Sequence, residues 1–332
     1  MTTLITGGSG FVGLNLAEAL LGRGDSVVLF GPTALPPGTR ALLGDSAARL
    51  TVLEGDVLSR ASLDEAIREF RVTRLVNAAA VTADAAREQR AARSIAEVNV
   101  LGCIEVMEAA IRHRIARVLQ LGTGSIFGAG GLLTPDLDEQ DSPVWPQTLY
   151  GITKFAAERI ALRYRSTRAL DVTVVRLGMV FGPWEYDTGV RDTLSLPLQL
   201  TRLAEQGAAV KVHVDCADDW VYSRDVAWGL ATLLERSDSP PEPIYHLSAG
   251  RRWSVQDWCS RLESRFPGFS AEAVSDPDEA TAGRGKVARR SPMRIDRLRR
   301  DIGYAPRYLP EAAFDDWIAW RQAARAAGWP GL

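Results

Sequence analysis

Lysine is scarce in this chain. Of its 39 Lys and Arg residues, only Lys154, Lys211 and Lys286 are lysines. A cation that serves only solubility or ion pairing is therefore an Arg almost everywhere. Lys differs physically because it carries a compact ammonium on a flexible stem, with three rotatable donors. A lysine at a particular position is therefore expected to have a specific role that an arginine could not fill.

Cysteine and histidine are equally rare. Three of each are scattered along the sequence: Cys103, Cys216, Cys259, His113, His213 and His246. Their separations match neither the spacing of metal ligands nor that of a disulfide framework. We therefore expect no metal site and no disulfide scaffold.

A strong net charge and long apolar runs are also lacking. The net charge of −2 provides no basic field for a nucleic acid or an anionic membrane. No apolar run approaches the length of about 18 residues that a membrane span needs. Because the sequence begins with the strand-like "MTTLITGG", we expect no signal peptide and a reducing cytoplasm.

What the sequence does contain is an alternation of short apolar segments with helical patterns. A long amphipathic helix is predicted over 98–114, and another helix contains residue 150. The predicted strands are apolar on both faces, which is typical of a parallel sheet covered by helices on both sides. The sequence therefore predicts an α/β fold with a Rossmann-type, doubly wound parallel sheet. The six strands are "TTLIT" (2–6), "SVVLF" (26–30), "LTVLEGD" (50–56), "RLVNAAA" (74–80), "ARVLQLGT" (116–123) and "DVTVVRLG" (171–178).

The regular alternation loosens after residue 178, and "SDSPPEP" (237–243) reads as a linker. We expect a dinucleotide-binding domain made of 1–178 and about 208–236. A smaller C-terminal substrate-binding domain would comprise about 179–207 and 237–332.

A glycine loop, "TGGSGFVG" (6–13), separates the first predicted strand from the first helix. Gly7, Gly10 and Gly13 allow a tight turn and a close approach of the backbone to a pyrophosphate. The N–H groups at the start of the helix would then face the phosphates. The loop predicts a bound dinucleotide.

The sequence does not distinguish NAD from NADP. The second strand ends at Gly31, where an acidic residue usually binds the ribose hydroxyls of NAD. The next arginine, Arg40, lies too far along the chain to be taken as a clamp for a 2′-phosphate. We expect NAD or NADP, with NAD favoured. Asp56, at the end of the third strand, would contact the adenine or instead serve as a helix N-cap.

Tyr150 and Lys154 form the most informative pair. With 7 Tyr and 3 Lys in 332 residues, chance predicts only about 0.06 pairs at this spacing. On a helix, residues four apart share a face. A nearby cation favours the phenolate of a tyrosine, so a lysine at this position suits a tyrosine that exchanges a proton.

The sequence resembles the extended short-chain dehydrogenase/reductases, and most closely the NAD-dependent epimerase/dehydratase family. The resemblance rests on the glycine loop, "NAAA" (77–80), "VNVLG" around Asn99 and "DEQDSPVWPQTLYGITK" (138–154), and it resumes at 218–227. It implies that Tyr150 is the catalytic acid/base. Lys154 would bind the nicotinamide ribose and lower the pKa of Tyr150. Thr123 would hold the reacting oxygen, with Ser125 as its competitor.

The same resemblance implies a set of cofactor contacts. Asn99 would hold a proton-relay water or simply kink its helix, and the backbone near Leu177 would pass the carboxamide. The full expected set is Gly7, Gly10, Phe11, Val12, Gly13, Asp56, Val57, Ala78, Ala79, Ala80, Asn99, Tyr150, Lys154 and Leu177.

Departures from the family pattern bear on the substrate. Met179 stands where many nucleotide-sugar epimerases have Asn, and Asp218 stands where they have an Arg that reaches the diphosphate. Gly124 and Ser125 replace the Asp-Glu pair of the 4,6-dehydratases, which argues against dehydration. Arg191 would bind an anionic group of the substrate or else pair with a neighbouring Asp. Expected substrate contacts are Thr123, Ser125, Arg191 and Met179.

We therefore expect an NAD(P)-dependent oxidoreductase or epimerase that transfers a hydride at a carbinol carbon of a sugar, polyol or sugar acid. A nucleotide-sugar epimerase similar to UDP-glucose 4-epimerase is the alternative, and a non-catalytic NAD(P)-sensing protein is a third hypothesis. The resemblance also implies a homodimer, formed by pairing the helices around 98–114 and 149–166.

Overall fold

Seven parallel strands form the central sheet, in the order Leu50–Glu54, Ser26–Gly31, Thr2–Thr6, Arg74–Asn77, Arg117–Thr123, Val172–Leu177 and Ile244–Leu247. The computed structural model describes residues 1–283 and 290–330, so Lys286 lies outside the described residues. The strands are β1 (Thr2–Thr6), β2 (Ser26–Gly31), β3 (Leu50–Glu54), β4 (Arg74–Asn77), β5 (Arg117–Thr123), β6 (Val172–Leu177), β7 (Met179–Phe181), β8 (Ala209–His213), β9 (Ala217–Asp218), β10 (Trp220–Tyr222), β11 (Ile244–Leu247), β12 (Trp253–Ser254) and β13 (Ser270–Val274).

Helices cover both faces of this sheet, as a doubly wound fold requires. On one face α1, α8, α10 and α11 enclose one apolar core, and on the other α3, α5 and α6 enclose a second. The helices are α1 (Phe11–Gly22), α2 (Thr39–Leu43), α3 (Arg60–Glu69), α4 (Ala85–Ala96), α5 (Gly102–Arg112), α6 (Leu149–Arg168), α7 (Leu196–Glu205), α8 (Ser223–Glu235), α9 (Val255–Arg265), α10 (Asp296–Ile302) and α11 (Pro310–Ala326). The predicted fold class is confirmed.

The direction of winding reverses at β1, which has β2 on one side and β4 on the other. Ligands of open α/β sheets bind beyond the carboxyl ends of the strands at such a reversal. The glycine loop, the residues after β4 and the end of β5 therefore lie around one cleft.

Three two-stranded sheets lie outside the central one. They pair β7 with β10, β9 with β12 and β8 with β13, and an aromatic-rich core surrounds them. These pairings differ from the expected domain division at two strands. β8, expected in the dinucleotide-binding domain, pairs with β13, whereas β11, expected in the other domain, is the seventh strand of the central sheet. Sequence pattern shows that a segment is a strand but does not name its partner.

The helix predicted over 98–114 is not uniform. A π-helical turn over Glu97–Leu101 precedes α5 and contains Asn99. Among the described helices, none combines the length and the apolar character that crossing a membrane requires.

Candidate active site

The first turns of α6 carry Tyr150 and Lys154. Thr148 caps this helix, since its Oγ1 accepts a hydrogen bond from the N–H of Gly151 at 3.1 Å. The side chain of Glu88 accepts a second bond from the N–H of Leu149 at 2.7 Å. These caps fix the start of the helix, so Tyr150 and Lys154 lie one turn apart on one face.

The phenol of Tyr150 is half-buried and hydrogen-bonded to the side chains of Thr123 and Thr82. Burial raises the pKa of this phenol, although the two hydrogen bonds and the positive charges of Arg191 and Arg290 oppose the effect. The expectation that the pKa of Tyr150 is lowered is therefore wrong for this structure. The free-energy cost of removing the phenolate from water exceeds the stabilisation that the nearby cations provide.

Lys154 is almost fully buried, with 3% of its surface exposed. Burial lowers the pKa of its ammonium to about 8, and the charge of Glu158 opposes this shift to a smaller extent. Glu158 itself is held by the guanidinium of Arg176 at 2.7 Å and 2.8 Å. Burial also raises the pKa of Cys103 to about 12, so that side chain stays a thiol.

Thr123 ends β5, where the sequence placed it, and lies beside Tyr150. Its Oγ1 accepts a hydrogen bond from the N–H of Ser125 at 3.1 Å and donates to the hydroxyl of Ser125 at 3.2 Å. Ser125 therefore lies one hydrogen bond further from the phenol.

The glycine loop joins β1 to α1 and leaves little room for side chains. Gly7 has a φ of +62°, and a Cβ there would lie 2.9 Å from the Cα of Ala79. A Cβ on Gly13 would lie 2.4 Å from the carbonyl oxygen of Gly8. Gly10 is the N-cap of α1 and supplies no side-chain hydrogen bond. The N–H groups at the start of α1, which begins with Phe11 and Val12, are thus not capped by the residue before them.

The segment after β4 lies against this loop. The carbonyl oxygen of Ala78 would be 3.0 Å from a Cβ on Gly7, and the N–H of Ala79 donates to Thr6 Oγ1 at 3.3 Å. Ala78, Ala79 and Ala80 are all half-buried. The structure therefore brings the two expected cofactor segments together.

Asn99 ties the segment after β4 to α6. Its Oδ1 accepts from the N–H of Val81 at 2.8 Å, and its Nδ2 donates to the carbonyl of Val81 at 3.1 Å and to Thr153 Oγ1 at 3.0 Å. Because both ends of the amide are engaged, this geometry gives no support to a relay water held by Asn99. The expected irregularity of its helix is present as the π-helical turn.

Asp56 lies two residues beyond β3, with an exposed carboxylate. Its Oδ1 accepts from the N–H of Leu58 at 2.9 Å, whereas Ser59 is the N-cap of α3. The alternative role of Asp56 as a helix N-cap is therefore wrong. The neighbouring Val57 is buried against Gly102, where a Cβ would lie 2.8 Å from its Cγ1.

Leu177 and Met179 lie at the junction of the central sheet and the smaller ones. Leu177 is the buried last residue of β6, and Met179 is the half-buried first residue of β7, opposite Trp220. Trp220 and Trp184 are both buried in packed cores. The two indoles are therefore core residues.

Arg191 reaches the cleft from the segment before α7. Its guanidinium pairs with Glu185 at 2.9 Å and lies 5.1 Å from the ring centroid of Phe11. The ion pair thus involves a Glu rather than the expected neighbouring Asp, since Asp192 pairs with Arg87 at 2.6 Å. Nη1 of Arg191 is buried without a hydrogen-bond partner among the described residues.

Sequence reasoning missed two residues of this site. Thr82 contacts Tyr150 and bridges to Arg191 through the backbone, and Arg290 lies near Tyr150 from far along the chain. Thr82 follows the "NAAA" segment, which is a local signal, but no local signal marks Arg290. Within the described part of the chain, no group of three or more His, Cys, Asp or Glu side chains is arranged to hold a metal ion.

Comparisons with known proteins agree with this geometry. Residues 3–248 match the model of the NAD dependent epimerase/dehydratase family. The chain is 25% identical over 340 residues to a dTDP-glucose 4,6-dehydratase of Actinoplanes sp., covering 98% of this chain and 99% of the relative. It is 21% identical over 355 residues to a dTDP-L-rhamnose 4-epimerase of Burkholderia thailandensis, covering 96% and 94%.

Solved structures show the same fold. The UDP-glucose 4-epimerase of Thermotoga maritima superposes with a TM-score of 0.80 at 19% identity, covering 98% of this chain and 100% of that one. The UDP-glucuronic acid 4-epimerase of Bacillus cereus, solved in complex with NAD, superposes with a TM-score of 0.76 at 19% identity, covering 97% and 99%. On its sequence match and its architecture, this chain belongs to the NAD-dependent epimerase/dehydratase family, enzymes of the extended short-chain dehydrogenase/reductase class.

Proposed function

We propose that this chain transfers a hydride between NAD and a carbinol carbon of a sugar-like substrate, with Tyr150 as the acid/base. One observation carries the proposal. At the carboxyl edge of the sheet, the phenol of Tyr150 is hydrogen-bonded to Thr123 and lies one helical turn from the buried amine of Lys154. Buried titratable groups gathered in one cleft are typical of a catalytic site.

The residues of the glycine loop fit a dinucleotide. Gly7 and Gly13 keep the loop free of side chains, and the start of α1 offers N–H groups to phosphate oxygens. Ala78, Ala79 and Asn99 would line the next part of the site, and Lys154 would bind the nicotinamide ribose. When bound, NAD accepts the hydride from the carbinol carbon and can return it.

We favour NAD over NADP because the arginines that follow β2 are engaged elsewhere. Nη1 of Arg40 donates to the carbonyl of Ala47 at 3.2 Å, and Nη2 of Arg49 donates to the carbonyl of Leu21 at 2.6 Å. Neither offers a clamp for a 2′-phosphate at the end of β2. The Bacillus cereus relative, which was solved with NAD, supports the same choice.

The chain's own part in the reaction is to hold the oxygen and move its proton. Thr123 would hydrogen-bond the reacting oxygen while Tyr150 Oη takes the hydroxyl proton during oxidation and returns it during reduction. Because burial raises the pKa of Tyr150, the resting group is the neutral phenol. The charges of Arg191 and Arg290 lower the cost of the phenolate that must form before an alcohol is oxidised.

Gly124 argues against dehydration. Gly124 supplies no carboxylic acid beside Thr123, and the guanidinium of Arg290 lies 2.4 Å from where its Cβ would be. Epimerisation needs no further acid, because the same phenol serves oxidation and reduction. Epimerisation of a nucleotide sugar is therefore the second candidate function, and the relatives named as 4-epimerases favour it. Asp218 argues against a nucleotide sugar, because its carboxylate would repel a diphosphate.

Tyr150→Phe tests the proposal. Loss of a positioned acid/base costs about 10²- to 10⁴-fold in rate, and NAD affinity should change less than about twofold because the ring is retained. Tyr164→Phe is the matched control, since this tyrosine lies on the same helix and bonds Glu108 instead. Turnover is followed through the reduced nicotinamide in a screen of sugars, sugar acids and nucleotide sugars. A fall of less than about tenfold in Tyr150→Phe, with NAD still bound, would refute the role.

Assembly and location remain predictions. Leu101 and Ile152, on the two helices of the expected dimer interface, are 50% and 48% exposed, which supports a homodimer formed through these helices. The buried thiols of Cys103 and Cys259 fit a reducing, cytoplasmic setting.

A further inference from the structure

The guanidinium of Arg290 lies directly against Gly124, the residue that follows Thr123. A Cβ on Gly124 would be 2.4 Å from Nη1 and 2.5 Å from Cζ of Arg290. The stem of the same side chain crosses Gly131, where a Cβ would lie 2.9 Å from Cγ. Two glycines therefore make the space through which Arg290 reaches the end of β5.

At the end of β5, two hydrogen-bond donors of Arg290 lack a partner among the described residues. Nε and Nη2 are buried and have no hydrogen-bond partner among the described residues. Arg176 is a useful contrast, because its Nε and Nη2 bind Glu158 and its Nη1 donates to the carbonyl of Glu139. A buried charged donor without a partner is costly, and Arg176 shows how this fold satisfies an arginine that serves structure alone.

The backbone around Arg290 is held firmly. The N–H of Ser291 donates to the carbonyl of Gly131 at 2.9 Å, and the N–H of Leu137 donates to the carbonyl of Pro292 at 2.8 Å. The N–H of Met293 donates to Oδ2 of Asp219 at 2.8 Å. These bonds anchor residues 291–293, which directly follow Arg290.

Asp219 lies near Arg290 but does not bind its guanidinium. Burial raises the pKa of Asp219, and the charge of Arg290 opposes that rise. Yet within the described residues no ion pair joins the two side chains, and Oδ1 of Asp219 likewise lacks a hydrogen-bond partner. The carboxylate of Asp219 offsets part of the positive charge of Arg290, while the Nε and Nη2 donors of Arg290 remain without a partner among the described residues.

We propose that Arg290 binds a carboxylate of the substrate, on a carbon next to the carbinol that Tyr150 and Thr123 hold. The substrate is therefore a sugar acid, an inference that rests on the proposed function. Nε–H and one Nη–H lie side by side in a guanidinium and match the two oxygens of a carboxylate. These are the unpartnered donors of Arg290.

The position of Arg290 favours a carboxylate over a diphosphate. Gly124 and Thr123 are consecutive, and consecutive Cα atoms are about 3.8 Å apart. A substrate that contacts both Thr123 and the guanidinium would therefore carry its anionic group close to the reacting carbon. A phosphoryl group at the far end of a sugar lies several bonds further away.

Binding in a variant that cannot turn over separates this inference from the proposed function. Calorimetry is carried out on Tyr150→Phe saturated with NAD, with hexuronates, aldonates, their neutral hexoses and the corresponding sugar phosphates as probes. Introducing Arg290→Gln should weaken binding of the carboxylate probes about 10- to 100-fold, the usual range for a lost charge-assisted hydrogen bond. It should change binding of the neutral sugars less than about threefold and leave NAD affinity unchanged.

Two further variants complete the design. Arg294→Gln is the matched control, because Arg294 lies in the same segment but is exposed and pairs with Asp296 at 2.9 Å. Gly124→Ala should reproduce the loss of carboxylate binding by displacing the guanidinium while keeping the charge.

Three results would overturn the inference: no carboxylate probe binds, Arg290→Gln weakens acid and neutral probes equally, or only sugar phosphates respond to Arg290. Turnover retained in Tyr150→Phe would instead refute the proposed function and leave these binding results standing.

Discussion

Lys154 should destabilise the cofactor-free protein, and replacing it with methionine should stabilise it. Burial lowers the pKa of this amine from 10.5 to about 8. Between those two pH values the unfolded chain binds more protons at this position than the folded one, so the free energy of unfolding rises with pH there. Below about pH 8 both states carry the proton, and the folded state bears the full cost of the buried ammonium.

The size of the effect follows from the same two values. At about 1.4 kcal/mol per pH unit, the difference between 10.5 and about 8 corresponds to ~3 kcal/mol. Lys154→Met keeps the volume and removes the charge, so it should raise the free energy of unfolding by up to that amount at pH 7. The gain should fall steadily between pH 8 and pH 10.5. The same variant should lose activity, as expected where a functional group is kept at the expense of stability.

Thermal unfolding of the cofactor-free wild type and variants at pH 7 and near pH 10.5 provides the measurement. Lys211→Met is the matched control, because Lys211 is 41% exposed and its amine lies 3.5 Å and 3.8 Å from two glutamates. Its effect should stay within about 0.5 kcal/mol at both pH values. If Lys154→Met is no more stable than wild type at pH 7, or if its gain is the same at both pH values, the buried-charge reasoning is refuted.

Two further predictions concern packing and pH. Gly13→Ala should cost about 1–3 kcal/mol and weaken NAD binding, because its Cβ would lie 2.4 Å from a carbonyl oxygen of the glycine loop. Gly22→Ala on the same helix, with open space around it, should be neutral or slightly stabilising; equal melting temperatures and NAD titrations for the two variants would contradict this. Burial raises the pKa of Asp64, but hydrogen bonds from Arg112 and His113 outweigh it and leave the pKa lowered. Asp64→Asn should therefore cost about 1 kcal/mol at pH 7, and this cost should disappear as the pH falls through the lowered pKa of the folded protein, where the wild-type carboxyl takes up its proton; melting curves that show the same cost at pH 7 and in acid would contradict it.

Features fixed by local sequence were predictable. Gly7, Gly13, Tyr150 and Lys154 are recognisable because a turn or a single helix face sets their positions. The apolar strands of the central sheet are recognisable for the same reason, since their character does not depend on which strand pairs with which.

Features that depend on distant segments were not predictable. The packing of Arg290 against Gly124 joins residues 166 positions apart, and the pairing of β8 with β13 involves two short strands that lack a distinctive pattern. The direction of the pKa of Tyr150 also escaped the sequence, because it depends on the balance between burial and nearby charges. The spacing of residues in the sequence reveals that a cation lies near Tyr150, but it does not reveal that folding removes the phenol from water.

The packing of the indole rings gives the protein a built-in optical signal. The rings of Trp184, Trp320 and Trp329 lie with their centroids 5.1–5.8 Å apart, and Tyr186 packs on Trp329 at 5.3 Å. The hydroxyl of Tyr186 donates to the carbonyl of Ser9, in the glycine loop, at 2.8 Å. We therefore expect a shift of the loop to change the intrinsic fluorescence of this cluster, which would let a spectroscopist follow the movement without attaching a dye.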